Sequence, residues 1–101
     1  MDNKSKILDI AMNLNRLGNW AADGYKPKKE RIIMFLDDTT QYIQDLKKET
    51  LPPQFRNIFE LFLEKYKILE KTGIEGLEDP DKWAEEMMTW GNILTHRSKL
   101  I

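Results

Sequence analysis

The chain has 101 residues, the usual size of one domain, and its 41% hydrophobic and 33% charged residues fit neither a disordered tail nor a membrane protein. Cysteine is absent, which removes disulfides, thiolate catalysis and cysteine-ligated zinc together and fits a reducing, cytoplasmic setting. With 16 basic and 17 acidic residues the net charge is −1, whereas nucleic-acid binders ordinarily carry a basic surplus to neutralise phosphate, so any such surface here is a local patch.

The opening stretch, MDNKSKILDI, lacks the basic region and apolar run of a secretory leader. The first helical pattern follows at once over residues 2–23. Ile7, Ile10, Leu14, Leu17 and Ala21 recur at alternating three- and four-residue spacing, the signature of one buried helix face. Residues 28–48 repeat it with Ile32, Leu36, Thr39, Ile43 and Leu46, residues 53–72 with Phe55, Phe59, Phe62, Tyr66 and Leu69, and residues 80–99 with Trp83, Met87, Trp90, Leu94 and then Arg97. No segment alternates with period two, so no strand is predicted. No run approaches the roughly 18 apolar residues of a membrane span.

Punctuation agrees with periodicity. Gly24 and Gly73 read as C-terminal caps of the first and third helices, each followed by an apolar residue that pairs back onto its helix, Tyr25 onto Trp20 and Ile74 onto Leu69. Pro27, the pair Pro52-Pro53 and Pro80 open the next three helices, where a missing amide hydrogen costs little. Asp79 is a good N-cap for the last, and Asp81 favours its dipole. Four helices of similar length joined by short loops predict an all-α, antiparallel up-and-down four-helix bundle, one domain over residues 1–101.

Few residues suggest chemistry. His96 is the only histidine, and without a Glu-x-x-His partner pattern it reads as a solvated residue near a helix C-terminus. The run Asn92-Ile93-Leu94-Thr95-His96 resembles the Asn-x-x-x-His end of the signature of HEPN-domain ribonucleases and nucleotidyltransferase partners, which are also small helical bundles. The family normally has an arginine before the asparagine, and Gly91 stands there in this chain. The resemblance implies RNA cleavage, or pairing with a nucleotidyltransferase, with Asn92 and His96 as the site residues.

Trp83, Met87 and Trp90 form a stripe at core spacing, and Thr39 in the second helix is positioned to accept a hydrogen bond from a tryptophan N–H. Gly18 and Gly91 interrupt their helices at a cost of about 1 kcal/mol each relative to alanine, which points to close helix approach or to a notch. Charge is unevenly placed. Lys26, Lys28, Lys29 and Arg31 crowd the first loop, while Glu75, Glu78, Asp79 and Asp81 crowd the third, at the same end of a bundle, where they attract one another or steer a charged partner.

The sequence also holds more apolar residues than four core stripes need. Ile33, Met34, Ile58, Leu61, Ile68, Met88 and Ile93 flank the stripes, and Ile74 and Leu77 add to them. Such a surplus marks a contact surface for a protein partner or a second copy of the chain. With no phosphate loop, metal-ligand set or nucleophile–base pair, an enzyme is disfavoured and no cofactor or metal is expected. The expected function is a non-enzymatic protein-interaction or adaptor module acting through apolar helix faces, on a protein partner or as a homodimer. The alternatives are a nucleic-acid-associated protein using Lys26 to Arg31, and a degenerate HEPN-like protein.

Overall fold

A computed structural model describes residues 2–101. Those residues are all-helical, with no strand among them. Four α-helices, α1 (Asn3–Gly24), α2 (Lys29–Asp45), α3 (Pro53–Glu75) and α4 (Pro80–Arg97), are joined or followed by short 3₁₀ turns at Lys26–Lys28, Lys48–Thr50 and Ser98–Leu100. None of the helices is long and apolar enough to cross a membrane.

The helix starts follow from local chemistry. Asp2 accepts a hydrogen bond from the Ser5 amide at 2.7 Å, and Asp79 accepts one from the Lys82 amide at 3.1 Å, so each satisfies an amide that the first turn leaves free. Pro53 and Pro80 occupy the first positions of α3 and α4. Pro27 opens the 3₁₀ turn before α2 rather than α2 itself. The second helix ends at Asp45, short of the expected Lys48, and Leu46 is buried from an extended backbone just beyond it.

Neighbouring helices run in opposite directions. Trp20 meets Phe35 edge-on at 4.7 Å near the first loop, joining the end of α1 to the start of α2. The Tyr66 hydroxyl donates to the Leu36 carbonyl at 2.9 Å and Lys48 faces Glu60, so α2 and α3 are aligned in reverse. Along α3 and α4, Phe62 packs on Trp90 and the Leu69 carbonyl accepts the Trp83 indole N–H at 2.9 Å. The first and last helices close the set. Gly18 lies against Ala84 and Met88, and Gly91 against Ala11 and Asn15.

The contact between α1 and α4 is close at backbone level. A Cβ on Gly18 would sit 2.9 Å from the Ala84 carbonyl oxygen, and one on Gly91 would sit 3.0 Å from the Ala11 carbonyl oxygen. Each glycine therefore faces an alanine across an antiparallel pair, and the backbones approach as closely as these small residues permit. Both glycines mark close helix approach, and because they lie at different heights they form two separate contacts.

Gly73 corrects the sequence reading of the third helix. It is not a cap: α3 continues through it to Glu75, and Gly76, at φ 138°, ends the helix instead. A Cβ at Gly73 would lie 2.8 Å from both Leu36 Cδ1 and Trp83 Cζ2, so the glycine makes room for core side chains. Ile74 is accordingly 46% exposed rather than folded back on Leu69. The expected Trp20–Tyr25 pair is also replaced. Trp20 packs on Phe35, while the buried Tyr25 donates its hydroxyl to the Gly73 carbonyl at 2.8 Å. Thr39 is fully buried, but it donates to the Phe35 carbonyl at 2.6 Å and takes no tryptophan N–H, since Trp83 is satisfied by Leu69.

Tyr66 is the polar clamp between α2 and α3. Its hydroxyl lies 3.1 Å from Thr40 Oγ1, and Thr40 in turn donates to Glu70. Burial, reinforced by the negative charges of Glu70 and Asp37, raises the Tyr66 phenol well above its ordinary value of 10. Above about pH 10 the unfolded chain releases this proton while the folded chain keeps it, so stability falls as pH rises. Replacing Tyr66 with phenylalanine should cost about 1 kcal/mol at neutral pH and make the alkaline decline shallower. Thermal melts of both proteins between neutral pH and pH 11 check this; parallel alkaline limbs would contradict it.

Candidate interaction surface

The apolar surplus does not form one surface. Met88 points toward α1, where its side chain fills the space beside Gly18. Ile33 is half-buried on α2, and Met34, 56% exposed, lies on the same helix, away from α4 in sequence. The other four residues share the outer seam between α3 and α4. Leu61 and Ile68 are 45% and 65% exposed and lie seven residues apart, hence on one line of α3. Ile58 occupies the same flank one turn earlier and packs partly on the core. Ile93 lies half-buried on α4, one turn beyond Trp90.

Two shallow depressions mark this seam. One, of about 370 Å³, is bounded by Ile68, Leu77 and Trp83, with Glu75, Glu78 and Asp79 at its loop end. The second, of about 330 Å³, is bounded by Lys65, Glu85, Thr89 and Trp90. They share Lys82 and Glu86, so they form one continuous groove along the helices. Trp90 supplies its floor. One side of the indole packs on the buried Phe62 ring at 5.7 Å and the rest remains half-buried at the surface. A large amphipathic ring held rigidly from behind is the residue type that dominates binding surfaces.

Sequence reasoning assigned Trp90 wholly to the core stripe and did not single out Lys65 or Lys82. Spacing within one helix could have placed Leu61, Lys65 and Ile68 on a common line. It could not show which flank of α4 lies beside them, because that depends on the register between the two helices.

The Tyr25–Gly73 hydrogen bond holds the first loop against the end of α3, beside the third loop. No ion pair joins the two clusters among the described residues. Lys28 pairs with Asp23 in its own loop, Arg31 lies over the Trp20 ring at 5.2 Å, and Glu75 pairs with Lys71 one turn back. Lys26, Glu78, Asp79 and Asp81 are exposed, and Lys29 is half-exposed. The two clusters therefore do not neutralise one another among the described residues.

Asn92 and His96 both face solvent on α4. The position where the HEPN signature has arginine is Gly91, whose Cβ would lie 2.8 Å from Asn15 Nδ2 and 3.0 Å from a backbone oxygen of α1, so no long side chain fits there. Among the described residues no group of three or more His, Cys, Asp or Glu is placed to hold a metal ion. No family model, curated protein or solved structure matches the chain.

Proposed function

We propose that the chain is an up-and-down four-helix bundle acting as a non-enzymatic protein-interaction module, with the α3–α4 groove as its contact surface. The observation that carries this reading is the exposed line Leu61–Ile68 beside a half-buried Trp90 whose other side rests on the core. Exposed apolar side chains scattered singly need no explanation, but a line of them next to an anchored indole is what a contact surface requires. The antiparallel contacts between successive helices support the bundle architecture, and the cysteine-free sequence fits work in a reducing compartment.

A photo-crosslinking residue at Thr72, inside the groove, tests the reading directly in cells producing the chain. The expected result is a discrete protein adduct that disappears when Leu61 and Ile68 are both changed to aspartate, with the far-ultraviolet dichroism unchanged. The same crosslinker at the exposed Gln41 of α2 should give no such adduct. Absence of an adduct at 72, or an adduct indifferent to the two aspartates, would overturn the assignment.

A further inference from the structure

The groove carries charge as well as apolar surface: acidic side chains outnumber the single lysine, Lys82, that lines its loop end, and basic ones stand at the other end. At the loop end stand the exposed Glu78 and Asp79, with Glu86 one step inward. At the other end Arg97 follows Trp90 by seven residues, so it lies on the same line of α4, and Lys99 lies just beyond it. Between the ends sit Lys65 on α3 and Glu86 on α4, lining one depression without pairing to each other. Among the described residues the ion pairs are Lys28–Asp23, Lys48–Glu60 and Lys71–Glu75, which leaves this row of charges unneutralised within the chain.

A surface with an acidic surplus at one end, a basic surplus at the other and mixed charge beside apolar side chains between them complements its own copy turned end for end. Taking the α3–α4 groove as the contact surface, as proposed above, we infer that its occupant is a second copy of this chain, docked antiparallel about a two-fold axis near Lys65 and Glu86. In that arrangement Glu78 and Asp79 of one copy face Arg97 and Lys99 of the other. Lys65 and Glu86 of both copies gather at the axis as two cations and two anions, and Ile68 of each lies over the Leu61–Trp90 part of the opposite groove. Every contact occurs twice, as an isologous interface requires. The parallel alternative sets acid against acid and is disfavoured by like-charge repulsion. The molecule is 38 Å long and 20 Å wide, so burial of the whole face would approach the roughly 800 Å² per partner of a standard interface.

The absence of cysteine makes the orientation measurable, because an introduced thiol has no native competitor. Light scattering across a dilution series should give a dimer whose dissociation constant rises with ionic strength. It should rise about tenfold or more on Ile68→Asp, which loads a charge onto the centre of the interface. Ile68 is 65% exposed, so this variant keeps its fold, and circular dichroism verifies that. Under mild oxidation Thr89→Cys, near the axis, should form a covalent homodimer. Glu78→Cys should not couple to itself but should couple to His96→Cys. A monomer at every concentration, a dimer insensitive to Ile68→Asp, or self-coupling of Glu78→Cys would each overturn the inference. A monomer that still gives the Thr72 adduct would leave the interaction reading standing with a different protein as occupant, whereas a monomer without that adduct removes both.

Discussion

Replacing Phe62 with alanine should destabilise the protein by about 3–5 kcal/mol. The ring is fully buried and sits in a row of aromatic side chains, 5.7 Å from Phe59, 5.6 Å from Tyr66 and 5.7 Å from Trp90. Truncation removes the transfer free energy of the ring and leaves a cavity that its rigid neighbours fill poorly. Domains of this size have only about 5–15 kcal/mol of stability in all, so the loss takes a large share. At roughly 4–8 °C per kcal/mol the melting temperature should fall by more than 10 °C. Trp90 also loses the support behind its indole, so its fluorescence should shift to the red even where the variant remains folded. Ile68→Ala, at an exposed position of the same helix, should change stability by no more than about 0.5 kcal/mol. A similar loss from both variants would mean that α3 does not bury the face described above.

Gly18→Leu is the second large effect, with an expected loss of about 3 kcal/mol, the upper part of the usual range for overpacking. The first added carbon would already lie 2.5 Å from Met88 Cγ and 2.9 Å from the Ala84 carbonyl oxygen. Methionine can swing away, but the carbonyl belongs to the backbone of α4 and moves only if the helix does. Gly18→Ala separates these contributions. Its gain in helix propensity, about 1 kcal/mol, offsets part of the clash. Adding Met88→Ala should then recover some of the remaining deficit by removing the side-chain collision alone. Chemical denaturation of the three variants measures the differences. Unchanged stability in Gly18→Leu would mean that α1 and α4 are not in close contact at this point.

The parts of the fold legible in the sequence are those set by short-range rules. Ile7, Ile10, Leu14 and Leu17 are fully buried, as their spacing requires, and so are Ile32, Leu36, Phe55 and Phe62. Asp79 and Pro80 begin α4 where local chemistry places them. Gly73 was legible only as a glycine. Whether such a residue ends a helix or opens space inside one depends on what arrives from elsewhere in the chain, here Leu36 and Trp83. Thr39 shows the same limit, because its hydroxyl finds a carbonyl within its own helix and the indole finds one on α3. For the surface, the sequence identified excess apolar residues without their grouping. Met88 and Ile68 have similar composition-level claims to exposure, yet the register of α4 against α1 covers one and leaves the other in solvent.

The glycine–alanine seam between α1 and α4 has a consequence for how the chain acquires its structure. It joins positions as distant as 11 and 91, so this close contact becomes available only after α2 and α3 have been synthesised. Until α4 has left the ribosome, Ile7, Ile10, Leu14 and Leu17 lack one of the walls that cover them. Contacts this remote bring the loop-closure cost forward and slow folding relative to helical proteins whose strongest contacts are local. A nascent chain carrying only α1 to α3 is therefore an open three-walled trough rather than a smaller version of the folded unit, and the arrival of α4 acts as the latch.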